Sequence, residues 1–149
     1  MTSKKKSDIN FQIRGMELLD SSLNAPKEPL PPNPKFQFDL KIEHRISLEK
    51  KLAIVICEVN ILNESKKTLY GQLRGSCIFH VENMEEFSND NKQLTLPKEY
   101  IANLNSITIS SIRGLMFSFF RGTFLHQAVL PIVDPQLMEK DKKIYDNPV

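Results

Sequence analysis

Alternating hydrophobic and polar residues dominate the middle of the chain. From Phe36 to Ile46 most even positions are apolar and the odd positions are polar or charged, which predicts a half-buried antiparallel strand. The segment from Leu52 to Leu62 is rich in β-branched residues and is apolar on both faces where it starts, so it predicts a central strand. From Leu69 to Val81 the apolar residues share the odd positions with two glycines. This pattern predicts a third strand that another backbone can approach closely, after a turn over residues 63–67.

A shorter and less regular strand is predicted before these three, from Phe11 to Leu18. The segment after it contains five prolines in nine positions, from Pro26 to Pro34. Proline cannot donate the backbone hydrogen bond that helices and central strands require. We therefore interpret residues 24–35 as an extended proline-rich crossover, and its length predicts that it carries the first strand to a non-neighbouring place in the sheet.

Helical patterns follow the strands. Pro97 predicts the start of a short helix, and apolar spacings of three and four from Ser106 to Phe120 predict a longer amphipathic helix that stops at Gly122. The Asp-Pro pair at 134–135 predicts a terminal helix that reaches about residue 143. Strands followed by helices are typical of an α+β fold with the helices packed on one face of an antiparallel sheet.

Length and composition predict one domain. The chain has 149 residues, of which 40% are hydrophobic and 26% charged, and this is ordinary globular composition. We expect a disordered basic N-terminus over residues 1–9, one domain over 10–144 and a tail over 145–149. The net charge of +2 is too small to indicate a nucleic-acid partner. No apolar run is long enough for a signal peptide or a membrane span, so we expect a cytoplasmic protein without membrane insertion.

Catalytic and cofactor-binding motifs are missing from the sequence. The three histidines, His44, His80 and His126, lack the spacing of a metal pair, and the five glycines are too dispersed for a phosphate loop. Cys57 and Cys77 each lie within an apolar run, where a core thiol is the favoured interpretation. The sequence therefore favours a protein that is not an enzyme and that has no metal and no cofactor.

A cluster of phenylalanines gives the remaining signal. Four phenylalanines lie between residues 117 and 124, beside an Arg-Gly pair at 121–122. Such aromatic density is typical either of a core or of a surface that binds other chains. Phe117 and Phe124 flank the main apolar stripe of the predicted helix, so the set exceeds what one amphipathic face hides.

Landmarks at both ends of the chain resemble SecB, the bacterial protein-export chaperone. They are, in order, Phe11-Gln12-Ile13, Asp20, Ala25-Pro26, the crossover, Ile78-Phe79, Arg121-Gly122-Thr123-Phe124 and Leu130-Pro131. The resemblance covers about Asn10 to Met138. It implies a four-stranded antiparallel sheet with a long helix and a short terminal helix on one face, and a homotetramer built as a dimer of dimers. It also implies an ATP-independent holdase that binds unfolded chains or preproteins in an apolar groove.

The resemblance also assigns candidate sites. Client-binding candidates are the apolar residues after the crossover and around the helix end: Phe36, Phe38, Leu40, Phe117, Phe120, Phe124, Leu130 and Ile132. The positions that match the SecA-tail contact are Asp20, Asn24, Tyr70 and Gln72. The positions that match the subunit interface are Gly71, Leu73 and Gly75, with packing inside one subunit as the open alternative.

Charge leaves a second function open. The SecA-matched positions keep a single carboxylate, and the sequence pI of about 8.5 differs from the acidic character of the export chaperones. The alternative is a SecB-like dedicated binding module that is not coupled to SecA, for example one that binds the antitoxin of a toxin-antitoxin-chaperone system.

Overall fold

The computed structural model describes residues 10–88 and 94–133. Four strands come first: β1 (Phe11–Leu23), β2 (Phe36–Ser47), β3 (Leu52–Asn63) and β4 (Leu69–Val81). A short 3-10 helix (Met84–Phe87) precedes the long helix α1 (Lys98–Phe119). The predicted terminal helix, the basic N-terminus and the C-terminal tail lie outside the described residues.

The four strands form one antiparallel sheet in the order β1-β4-β3-β2. Strands β2, β3 and β4 follow one another through tight turns, and β1 pairs with β4. The crossover therefore spans the sheet from one edge to the other, which confirms the predicted non-neighbouring position of the first strand. The α+β fold class with an antiparallel four-stranded sheet is confirmed as well.

Strand β1 is longer than the sequence pattern predicted. It continues to Leu23 instead of ending at Leu18, and its pairing with β4 shifts register between Ile13 and Gly15 and again between Leu18 and Asp20. Each extra residue moves the following side chains to the other face. The two irregularities therefore break the alternation that would have revealed the whole strand.

Helix α1 is one element where the sequence predicted two. Its 22 residues begin directly after Pro97, so the predicted short helix and the predicted amphipathic helix are its two halves. Asn105 interrupts the apolar stripe between them but is itself buried, and its Oδ1 lies 2.7 Å from Nε2 of His44 on β2. A polar residue can be buried in this way when it has a hydrogen-bonding partner. In the sequence it interrupts the apolar periodicity, so that one continuous helix resembles two separate helices.

The core lies between α1 and one face of the sheet. The helix packs on β3 and β4, and most of the largest fully buried side chains come from these three elements and from the segment after the helix: Val55, Val59, Ile61, Leu73, Phe79, Ile112, Met116, Phe120 and Leu125. Ile46 of β2, Met84 of the 3-10 helix and Leu94 before α1 are fully buried as well. The edge strands β1 and β2 lie beside the helix rather than beneath it. The helix-side faces of both edge strands are therefore only partly covered.

The chain turns back along α1 after the helix ends. Gly122 adopts a positive φ of 80° just beyond the last helical residue, which agrees with its predicted role as a stop signal. Thr123 donates its hydroxyl to the carbonyl of Phe120 at 2.7 Å. Further along, Arg113 Nε donates to the carbonyl of Leu130 at 2.7 Å, and its Nη2 donates to that of Pro131 at 2.9 Å. The guanidinium thus holds the returning segment against the helix.

Candidate functional site

Three aromatic rings meet at the end of the sheet where the crossover starts and finishes. The ring centroids of Phe36 and Tyr70 lie 6.1 Å apart, and those of Tyr70 and Phe124 lie 5.7 Å apart. Both contacts are edge-to-face, which is a favoured geometry for aromatic pairs. We call Phe36, Tyr70 and Phe124 the aromatic cluster. All three are half-buried, so the cluster presents aromatic surface to solvent.

Backbone hydrogen bonds fix the crossover beside this cluster. Asn24 donates its backbone N–H to the carbonyl of Tyr70 at 2.9 Å, and its side-chain Nδ2 donates to the carbonyl of Leu69 at 3.1 Å. The crossover therefore leaves the sheet after the end of β1, beside Tyr70 of β4. It re-enters the sheet at Phe36, the first residue of β2, which pairs with Asn63 of β3. Both ends of the crossover are tied to the same end of the sheet.

Phe38 and Leu40 extend the apolar surface from the cluster along β2. They lie opposite Ile61 and Val59 on the helix-side face, and both are half-buried. Because β2 is an edge strand, this face remains partly open. The structure thus brings Phe36, Phe38, Leu40 and Phe124 of the predicted client-binding set to one region.

Two residues of that predicted set belong to the core. Phe120 is 1% exposed and Leu130 is 2% exposed. Phe120 caps the end of α1 and packs near Gly71 of β4, with its Cε1 3.5 Å from the Cβ position there. Neither side chain offers surface to a client. Both differ in this from the exposed surface expected of client contacts, because the returning segment covers this side of the helix.

The remaining two predicted client contacts lie on the outer side of α1. Phe117 is 65% exposed and Ile132 is 96% exposed. Phe117 lines a groove of about 370 Å³ between α1 and residues 126–129 of the returning segment. We call it the outer groove. None of the residues of the aromatic cluster lines the outer groove. The predicted client-binding residues are therefore divided between two surfaces.

The predicted subunit-interface residues pack inside the chain. A Cβ at Gly71 would lie 2.7 Å from Leu125 Cδ1, and one at Gly75 would lie 2.6 Å from Ile112 Cδ1. Leu73, between them, is fully buried. All three residues therefore take part in packing inside the chain, because the glycines allow the helix and the returning segment to lie directly on β4. A role of these positions in a subunit interface stays a prediction.

The positions matched to the SecA-tail contact have four separate roles. The ring of Tyr70 belongs to the aromatic cluster, and Asn24 is engaged in the backbone contacts described above. Gln72 donates its side-chain amide to Glu58. Asp20 is exposed, and its carboxylate accepts the backbone N–H of Ser21 at 2.8 Å. The structure therefore does not show these four residues as one acidic patch.

The sheet face opposite the helix carries charges of both signs. Arg74 Nη2 lies 3.6 Å from Glu43 Oε2, and Lys41 Nζ lies 4.0 Å from Glu58 Oε2. At the turn end of the sheet, Lys66 Nζ lies 3.8 Å from Asp39 Oδ1. These exposed pairs contribute little to stability. Their mixture of signs means that the face has no extended acidic character.

An apolar surface on β1 was missed by the sequence analysis. Ile13, Met16, Leu18 and Leu23 lie opposite buried positions of β4 on the helix-side face, yet each is between 43% and 50% exposed. Their spacing is irregular because of the two register shifts. A search for strict alternation could not find them, although the density of apolar residues between 13 and 23 was an available signal.

The described residues contain no evident reactive centre. Burial, together with the nearby Cys77 and Glu58, raises the pKa of the Cys57 thiol from 9.0 to about 12, so this thiol stays protonated and unreactive at neutral pH. Within residues 10–88 and 94–133, no three histidine, cysteine or acidic side chains are grouped to hold a metal ion. The described part of the chain also has no helix that is long and apolar enough to cross a membrane.

This arrangement of sheet, crossover and helix is the SecB-like α+β fold. A solved structure with a similar fold is that of the SecB-like chaperone Rv1957 of Mycobacterium tuberculosis, in complex with a ChAD peptide from the Rv1956 HigA1 antitoxin. The TM-score is 0.53 at 11% sequence identity, and the match covers 83% of this chain and 84% of the other. No protein-family model and no curated protein sequence matches the chain.

Proposed function

We propose that this protein is a SecB-like peptide-binding module that holds an extended apolar segment of another protein at the aromatic cluster and along β2. The observation that carries the proposal is the half-buried ring series Phe36, Tyr70 and Phe124, placed where the crossover leaves and re-enters the sheet. Aromatic side chains bury large apolar areas and are suited to anchor binding.

The free energies expected from burying apolar side chains support peptide binding without chemical catalysis. Each client side chain that becomes fully buried contributes about 1.5–3 kcal/mol. Part of this gain is offset by the cost of ordering an unfolded chain. Two or three anchors along the cluster and β2 would thus suffice for reversible binding, and nothing in this step requires a nucleotide or a metal.

A dedicated peptide, such as a segment of an antitoxin, is the favoured client. The structurally similar mycobacterial chaperone was solved with an antitoxin peptide. The mixed charges on the sheet face opposite the helix argue against that face as an acidic dock for SecA, since Arg74, Lys41 and Lys66 alternate there with carboxylates. Coupling to protein export is therefore the less favoured interpretation.

A general holdase is the second candidate function. It is favoured by the half-buried residues Phe38 and Leu40, which add apolar area along the edge strand β2 beyond the aromatic cluster. Large exposed apolar patches are typical of surfaces that bind other chains.

Selection of 12-residue peptides from a phage-displayed library would test the proposed site. We expect the enriched peptides to share two or more aromatic or aliphatic anchors. A synthetic copy of such a peptide should bind F36A and F124A at least about tenfold more weakly than the unchanged protein, because one lost anchor costs about 1.5–3 kcal/mol. Isothermal titration calorimetry measures this difference. The control is F119A, which removes a 42% exposed ring outside the cluster.

Equal affinity of F36A, F124A and F119A for the selected peptides would refute the proposed site. To separate the two client classes, the purified protein is mixed without nucleotide with denatured luciferase, rhodanese and malate dehydrogenase, and light scattering is followed. Suppression of aggregation for all three supports the general holdase. Specific peptide binding without any suppression supports the dedicated module.

A further inference from the structure

The outer groove has apolar walls and opens to solvent. Phe117 of α1 and Val129 of the returning segment line it, and both are more than half exposed. Gly114 also lines the groove, and a Cβ added there would meet nothing within 4 Å. The groove therefore has room for one apolar side chain of a partner, which would lose its contact with water between these residues.

The described chain segment that forms the outer groove has basic but no acidic residues. From Tyr100 to Val133 the sequence contains Arg113 and Arg121 but no aspartate or glutamate. Arg113 and His126 both line the outer groove. Arg113 uses two N–H groups to hold the carbonyls of Leu130 and Pro131, and its guanidinium retains further N–H groups for a carboxylate.

We propose that the outer groove binds a peptide segment in which an apolar side chain is followed by acidic residues. The apolar side chain lies over Gly114 between Phe117 and Val129, and a carboxylate of the segment pairs with Arg113. A second copy of this chain that used the same face would bring another Arg113 to the groove and no carboxylate from residues 100–133, so an acidic peptide is the better complement. This site is independent of the aromatic cluster.

Fluorescence anisotropy with three labelled peptides tests the proposal. The probes are Gly-Leu-Phe-Leu-Asp-Glu-Gly, its Asn-Gln counterpart and its Lys-Lys counterpart. The acidic probe should bind at least about tenfold more tightly than the lysine probe in 50 mM NaCl, and this preference should shrink in 500 mM NaCl because salt screens exposed charges. Binding of the acidic probe to F36A and F124A should stay within about twofold of the unchanged protein, which separates this site from the aromatic cluster.

Gly114 offers a matched pair of variants. G114L places a side chain into the open space of the groove and should weaken binding of the acidic probe at least about tenfold, whereas G114A should change it less than about twofold. Circular dichroism and thermal melting check that both variants are folded. If G114L fails to fold, F117S replaces it, because Phe117 is mostly exposed.

Three results would overturn the proposal. The first is equal binding of the acidic, neutral and lysine probes. The second is undiminished binding of the acidic probe to folded G114L and F117S. The third comes from sedimentation velocity without peptide: if G114L converts an oligomer of the unchanged protein into monomer, a second copy occupies the groove instead of an acidic peptide.

Discussion

Gly75 shows how a single residue sets the distance between helix and sheet. A Cβ at this position would lie 2.6 Å from Ile112 Cδ1 and 3.1 Å from the backbone carbonyl oxygen of Glu17. The isoleucine can rotate away, but the backbone of β1 is held by its pairing with β4. The absence of a side chain at Gly75 is therefore a requirement of packing inside the chain, whether or not this position also lies near a subunit interface.

The substitution G75A should lower the free energy of unfolding by about 1–3 kcal/mol, as expected for an overpacked core. Urea denaturation followed by circular dichroism measures the change. The matched control is G114A, which adds the same methyl group inside helix α1 where nothing lies within 4 Å. There we expect stabilisation of about 0.5–1 kcal/mol, because alanine is the better helix former. A G75A variant as stable as the unchanged protein would contradict this packing.

At the scale of elements, helix α1 depends on a polar contact in its first half. Asn105 is 1% exposed and bonds to His44 of β2, whereas Asn103, two residues earlier, is exposed. A buried polar group that loses its partner costs more than an exposed one. The contact links the helix to an edge strand outside the main helix–sheet contacts with β3 and β4, so it helps to set the position of the helix on the sheet.

The pair of variants N103A and N105A tests this role. N105A should lose about 1–3 kcal/mol of unfolding free energy, because it removes a buried hydrogen bond and leaves a cavity. N103A should be neutral or slightly stabilising, because alanine favours a helix at an exposed position. Thermal and urea unfolding of both variants provide the measurement. Equal stability of the two variants would show that the contact between Asn105 and His44 does not support the helix.

At the scale of the whole molecule, the uncovered face of β1 predicts self-association. Ile13, Met16, Leu18 and Leu23 form an apolar surface at a sheet edge, and such edges pair readily with other strands. We propose that copies of the chain meet through this face, which accords with the oligomer implied by the resemblance to SecB. An oligomer would present several peptide sites to one client and raise effective affinity by about 10²–10⁴.

Light scattering coupled to size-exclusion chromatography tests the self-association. The unchanged protein should elute as an oligomer, and L18E should shift it toward monomer because a carboxylate is costly to bury in an apolar contact. The control is E17K, since Glu17 lies opposite Ser76 on the other face of the sheet and should leave the mass unchanged. A monomeric unchanged protein at 50 μM, or an unaltered mass for L18E, would disprove the role of β1.

Regular periodicity made most of the fold predictable. Strict alternation defined β2, and the β-branched and odd-position patterns defined β3 and β4 close to their observed ends. The proline-rich crossover predicted that β1 and β2 are not neighbours. Where periodicity was interrupted, at the register shifts of β1 and at Asn105 in α1, the prediction shortened one element and divided another. The local pattern of apolar and polar residues reveals neither a β-bulge nor a buried amide side chain whose hydrogen bond is made elsewhere in the fold.

The candidate site was predictable only in its composition. By itself the sequence determined that aromatic residues cluster near the helix end and after the crossover, and that the residues between 100 and 133 lack carboxylates. Only the tertiary structure decided that Phe120 is core, that Phe36 and Phe124 share a cluster through Tyr70, and that Phe117 lines a separate groove. The physical reason is that exposure depends on what covers a side chain. Here the cover is a chain segment that returns along α1, held by Arg113, and no local pattern encodes its path.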